Sequence, residues 1–113
     1  MRTVLHFVPY ASAEMLRKAL QLKADALVLD LEDSVTPDNK ASARATITEW
    51  LKNVDFAGRE RLVRINALDS EWGLADVEAT MAGRPDGYLV PKADDADELH
   101  GQHHHSHEFR GRR

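Results

Sequence analysis

Residues 27–35 read LVLDLEDSV, a nearly continuous apolar run that ends in three carboxylates, Asp30, Glu32 and Asp33. A short run of leucine and valine of this kind suits a strand covered on both faces, as in a parallel sheet. Burying even one unpaired carboxylate costs several kcal/mol, roughly. The charge at the end of such a strand therefore faces water, or something positive stands beside it.

Working outward, the same kind of segment recurs three times. TVLHFV at 3–8, ALVLDL at 26–31, LVRIN at 62–66 and GYLVP at 87–91 are short and rich in leucine or β-branched residues. Between them the apolar spacing becomes helical: Leu16, Ala19 and Leu20 behind a candidate N-cap Ser12; Ala43, Ile47, Trp50, Leu51 and Val54 behind TPDNK; Leu74, Val77 and Met81 behind DSEWG. Thr36–Pro37 is a good helix opening, because proline at the first helical position forfeits no hydrogen bond. The expected order is β α β α β α β. Strands separated by helices pair in parallel through right-handed crossovers, which makes an α/β fold.

That topology says where chemistry belongs. Asp30, Glu32 and Asp33 end the second strand, Arg64 and Asn66 the third, Pro91 and Lys92 the fourth. In parallel α/β folds the carboxyl edge is the ligand edge, because the following loops open there on a common crevice. Alternation puts Asp30 with Glu32, and Arg64 with Asn66, on shared faces. Two neighbouring strands thus bring anions and a guanidinium together, with Lys92 as a further cation and a hard divalent ion such as Mg2+ as a partner for the oxygens. Two plainer readings stand beside this one. The triad is solvated strand-end charge with Glu32 or Asp33 capping a turn, or Arg64 is a structural ion pair with Glu32 or Asp30.

Composition narrows the classes. With 113 residues, 42% hydrophobic and 30% charged, one core is the most the chain holds. No apolar run is long enough for a membrane span and the first ten residues lack a signal-peptide pattern, so a cytoplasmic location is expected, without membrane partners. There is no cysteine, which removes disulfides and thiolate chemistry. A net charge of −4 without a basic stripe argues against nucleic-acid binding. His6 reads as a packed or hydrogen-bonded strand residue, Trp50 as a helix-to-sheet core residue, and Trp72 as a loop anchor. The segment 100–113, HGQHHHSHEFRGRR, holds five of the six histidines and one large apolar residue, Phe109. It has little to bury and is expected to be a disordered His/Arg-rich tail after a domain spanning 1–99. Its imidazoles are opportunistic ligands for Ni2+, Zn2+ or Cu2+.

The blocks HFVPYASAEMLRKAL, ADALVLDLEDSVTPDNKASAR, ERLVRINALDSEWGLADVEA and RPDGYLVPKADDADEL together resemble the amino-terminal half of the HpcH/HpaI aldolase and citrate lyase family, in the branch of the citrate lyase β subunit and malyl-CoA lyases. The resemblance runs from about Thr3 to about Leu99. It implies a partial TIM (β/α)8 barrel, its first four parallel strands with intervening helices. It also implies Mg2+-dependent carbon–carbon lyase chemistry on a 3-hydroxy acyl thioester such as citryl-CoA, carried by coenzyme A or an acyl carrier protein. Arg64 is then the substrate-binding residue, for a carboxylate or carbonyl oxygen. Glu32 and Asp33, with Asp30, stand near the metal through its waters, while Asn66 and Lys92 are further candidate site residues.

Departures from the family qualify this. Tyr10 stands where a glycine is common, and Ser12–Ala13 where an Arg-Pro pair is common. The family's direct metal ligands, a glutamate and an aspartate on later strands, are expected beyond residue 99 and are not found in this chain. A half barrel leaves strands one and four unpaired at their outer edges and exposes its inward face. The expectation is a chain without lyase activity by itself. The alternatives are a fragment completed by a separate carboxyl-terminal half, or a non-catalytic interaction fragment that pairs through open sheet edges, with itself or a homologue.

Overall fold

The computed structural model describes residues 3–91 and the strand at 106–109. Four parallel strands, β1 (Leu5–Val8), β2 (Ala26–Asp30), β3 (Glu60–Arg64) and β4 (Gly87–Pro91), alternate with α1 (Ala13–Ala19), α2 (Lys40–Asn53) and α3 (Gly73–Thr80). They lie in one sheet in sequence order, the arrangement of the first units of a (β/α) barrel. The α/β expectation and its partial-barrel form therefore hold.

The helices cover one face. Val8, Leu27, Leu29, Leu31, Val63, Ile65 and Tyr88 pack there against Leu16, Ala19, Ile47 and Leu51. The other face carries only a small cluster, Ala26, Val28 and Leu62 with Leu89. Leu5 and Phe7, in register with Ala26 and Val28, are 43% and 40% exposed on it. In a closed barrel this face is filled by the remaining strands.

Several local expectations meet the structure directly. Ser12 caps α1, its hydroxyl accepting from the Met15 N–H. Thr36–Pro37 opens a short 3-10 turn, Pro37–Asn39, that runs into α2. β3 begins two residues earlier than its apolar run, because the Glu60 N–H donates to Asp25 O. It also ends at Arg64, so alternation does not carry on to Asn66.

One expectation is corrected in part, and one further strand is found. On α3, Leu74 and Met81 are 60% and 59% exposed, while Gly73, Asp76 and Thr80 face inward. Of the three expected core residues Val77 packs against the core, and the buried Asp76 anchors the helix beside it in place of Leu74 and Met81. Within the segment expected to lack order, Ser106–Phe109 form a fifth strand, β5, antiparallel to β4. The open backbone groups of β4 supply the reason, since a strand edge accepts a partner without needing an apolar side-chain contribution. The fourth strand is thus not a free edge. Lys92, the acidic run at 94–98 and the cluster His100, His103, His104 and His105 lie outside the described residues.

Gly73 sits where the β3–α3 loop turns against α3. A Cβ there would lie 2.2 Å from Ala67 O and 2.7 Å from Asn66 O, both backbone atoms that cannot swing aside. Gly73→Ala is therefore expected to destabilise the chain by roughly 1–3 kcal/mol, the usual range for overpacking. A fall in the urea midpoint with unchanged slope checks this.

Candidate functional site: an arginine clamped by an acidic corner

β2 and β3 are hydrogen-bonded neighbours in which Asp30 is in register with Arg64. This register brings the two side chains together at the carboxyl rim. Arg64 Nε donates to Asp30 Oδ1 at 2.9 Å and Nη2 to Oδ2 at 3.0 Å, a bidentate fork that lysine could not reproduce. Glu32 Oε1 stands 3.5 Å from Nε and Asp33 Oδ2 3.7 Å from Nη2. The guanidinium also lies over the Phe7 ring, 4.9 Å from its centroid. The question raised by LVLDLEDSV thus has a geometric answer: Arg64 is the positive group, and all three carboxylates gather on it.

The three are not equivalent. Asp30 is 2% exposed, and its oxygens also accept from the backbone N–H groups of Glu32 (2.8 Å) and Ser34 (3.2 Å). Burial pushes its carboxyl upward, but the Arg64 hydrogen bonds, the Glu32 amide and the Arg64 charge outweigh it and hold the group below its ordinary value. On Arg64 burial acts downward, and the Asp30 bonds and the surrounding carboxylates raise it overall. Glu32 is half-buried and Asp33 exposed, so the corner is graded from a dry ion pair to a wet carboxylate.

Behind the corner lie residues that sequence reasoning missed. Lys40 is 4% exposed, and its Nζ donates to the carbonyls of Leu31 (3.0 Å), Glu32 (3.3 Å) and Val35 (2.9 Å). Burial pushes its pKa down, against the opposing pull of Asp76, Asp30 and Glu32. Asp76, fully buried, accepts from Arg44 Nε at 2.8 Å, Asn66 N–H at 2.9 Å and Asn66 Nδ2 at 2.7 Å. Asn66 Nδ2 also donates to Leu31 O at 3.0 Å. Asn66 therefore does not reach the Arg64 corner with its side chain; it ties the β2 and β3 ends together. A Lys in TPDNK and an Asp in GLADVEA read as solvated helix residues, and no sequence signal marks them as buried.

The first loop carries backbone strain. Tyr10 and Ala11 have φ of 62° and 48°, and the Tyr10 N–H donates to Ser34 Oγ at 2.7 Å. Between this turn and α2 lies a cavity of about 300 Å³ bordered by Tyr10, Ser34, Asn39, Ser42 and Thr46, all uncharged.

Among the described residues there is no group of three or more His, Cys, Asp or Glu that could hold a metal ion. Asp30 spends both oxygens on Arg64. Glu32 and Asp33 are carboxylates, the donor type a hard cation such as Mg2+ takes.

The parallel strands in sequence order are the first units of a (β/α) barrel, and the Arg64 corner lies on their carboxyl rim. The family model described as HpcH/HpaI aldolase/citrate lyase matches residues 2–110, and the chain belongs to that family. The match runs past Leu99, where the resemblance by motif ends. A (3S)-malyl-CoA thioesterase from Cereibacter sphaeroides is 44% identical over 98 residues, 87% of this chain and 34% of the relative. The citrate lyase subunit beta of Escherichia coli is 42% identical, over 87% of this chain and 32% of its own length. Among solved structures, CitE from Mycobacterium tuberculosis in complex with magnesium, acetoacetate and coenzyme A superposes with a TM-score of 0.65 at 30% identity, covering 86% of this chain and 34% of that one. The chain spans about a third of the length of the curated relatives it matches.

The Asp30–Arg64 pair generates a pH prediction. Because the folded-state pKa of Asp30 is depressed, its contribution is fully present above the ordinary carboxylate value of 3.8 and is lost as pH falls through the lowered folded value. Asp30→Asn is expected to cost roughly 3 kcal/mol near neutrality, since it leaves Arg64 without its buried partner. The deficit should shrink in the acid range, as followed by urea unfolding at a series of pH values.

Proposed function

We propose that this chain is the substrate-anion portion of a carbon–carbon lyase of the citrate lyase β subunit and malyl-CoA type, acting on a 3-hydroxy acyl thioester. The observation that carries the reading is the Arg64 fork at the carboxyl rim. Asp30 holds its Nε–Nη2 edge, and among the described residues no hydrogen bond uses Nη1. That edge is presented to a carboxylate or carbonyl oxygen of the acyl group, with Phe7 supporting the guanidinium plane from behind. Cleavage next to a thioester leaves an enolate, and a fixed donor aimed at the developing oxyanion lowers the barrier without reorganising.

Charge supports a cation in the complete site. Asp30, Glu32 and Asp33 stand around one guanidinium while Lys40 is turned to backbone carbonyls, an oxygen-rich corner of the kind beside which a hard cation such as Mg2+ would be held. Mg2+, when bound, supplies Lewis-acid stabilisation of that oxyanion. Glu32 and Asp33 would hold its water molecules, and its direct ligands would come from residues outside those described. The thioester carrier, coenzyme A or an acyl carrier protein, is the substrate partner. The relatives' names and the magnesium and coenzyme A in the CitE structure support this assignment. Among the described residues no helix is long and apolar enough to cross a membrane, and the proposed setting is the cytoplasm, without nucleic-acid or membrane partners.

The 113-residue chain by itself is expected to show no cleavage of citryl-CoA or malyl-CoA with Mg2+. It is nevertheless expected to bind a small dicarboxylate such as malonate in the presence of Mg2+, with about tenfold or greater loss in Arg64→Met, the scale of a lost charge-assisted contact. Metal-dependent turnover by the purified chain, or equal malonate affinity in the two proteins by calorimetry, would overturn the reading.

A second reading has its own observation. β1 is an edge strand among the described residues and carries the exposed Leu5 and Phe7, so a non-catalytic fragment that self-associates there is the alternative. Light scattering on an eluting peak separates the two, because a compact monomer has no edge pairing.

A further inference from the structure

The turn that carries Glu32 and Asp33 has few backbone bonds of its own. Within it the Val35 N–H reaches Glu32 O only at 3.4 Å. Its amides are taken from one side by the Asp30 carboxylate, through Glu32 N–H and Ser34 N–H. Its carbonyls are taken from the other side by Lys40, whose three ammonium protons match the three acceptors Leu31 O, Glu32 O and Val35 O. The turn is thus clamped between a buried anion and a buried cation that never touch its carboxylates. Asn66 Nδ2 shares Leu31 O with Lys40, and Lys40 Nζ lies 5.2 Å from the Trp72 ring centroid, which adds contacts to the β3–α3 side.

Burying an ammonium is costly unless its donors are all used. A packed apolar residue could fill the same space without that cost, so the charge at residue 40 has a task other than occupancy. We propose that Lys40 is a positioning residue: by gathering three carbonyls on one point it sets where the Glu32 and Asp33 carboxylates stand relative to Arg64. This deepens the anion-site reading and rests on it for its functional meaning. Lys40 acts through the turn and contacts no substrate.

The test uses the full 113-residue chain with Lys40→Met, which keeps length and loses the donors, and Lys40→Gln, a milder change that retains two. Amide hydrogen exchange is read by NMR at Glu32, Ser34 and Val35 against Leu29 and Val63 in the sheet. Exchange in the turn should rise about tenfold or more over that in the sheet for Lys40→Met, the factor of one lost charge-assisted bond. Lys40→Gln should fall between, and malonate affinity with Mg2+ should weaken in the same order. A uniform rise across turn and sheet, or no rise in the turn of either variant, would show that Lys40 only stabilises the fold, and would overturn the proposal. Exchange needs no ligand, so it judges Lys40 independently. Failure of the unsubstituted chain to bind malonate would instead sink the anion-site reading.

Discussion

The fork between Arg64 and Asp30 is the interaction on which the rest of the corner depends. It is formed by residues in register on adjacent parallel strands, so the sheet itself supplies the alignment. Its burial makes it consequential in both directions. Intact, it fixes the guanidinium in one orientation; with either partner removed, an uncompensated charge remains in a dry place. Glu32 and Asp33 then stand at 3.5 and 3.7 Å, close enough to bias the guanidinium but too far to replace Asp30.

Around that pair the structure is layered. Asp30 and Lys40 hold the turn after β2 by opposite groups, and Asp76 with Asn66 and Arg44 holds the loop after β3. Leu31 O, shared by Lys40 and Asn66, joins the two. Buried polar networks of this kind are tolerable only when every member is satisfied, and each of these groups is. The rim is therefore tied by ion pairs and hydrogen bonds where it holds Arg64 and wet where Asp33 is exposed.

The sequence made the sheet legible because its strands are short apolar runs with helical spacing between them, and β2 is buried along its whole length as LVLDL requires. The convergence of Arg64 with the acidic triad was legible too, since strand ends in a parallel sheet share one edge. The facing of α3 was not. Val77 packs inward as its spacing suggests, but a buried Asp76 takes the place of Leu74 and Met81, and periodicity cannot report a helix anchored by a hydrogen-bonded carboxylate. Lys40 was hidden for the same reason, because in sequence a buried lysine is indistinguishable from a solvated one. Nor did composition foresee β5, which pairs with the edge of β4.

The central claim is that Arg64, held by Asp30, is where an anion enters. The most direct measurement is the 15N-resolved Arg64 Nε–H resonance of the 113-residue chain during titration with malonate in the presence of Mg2+. The account predicts a saturable shift of that resonance and of the Glu32 and Asp33 amides, with the β1–β2 sheet amides unmoved. A malonate-dependent shift elsewhere with the Arg64 signal unchanged would contradict it.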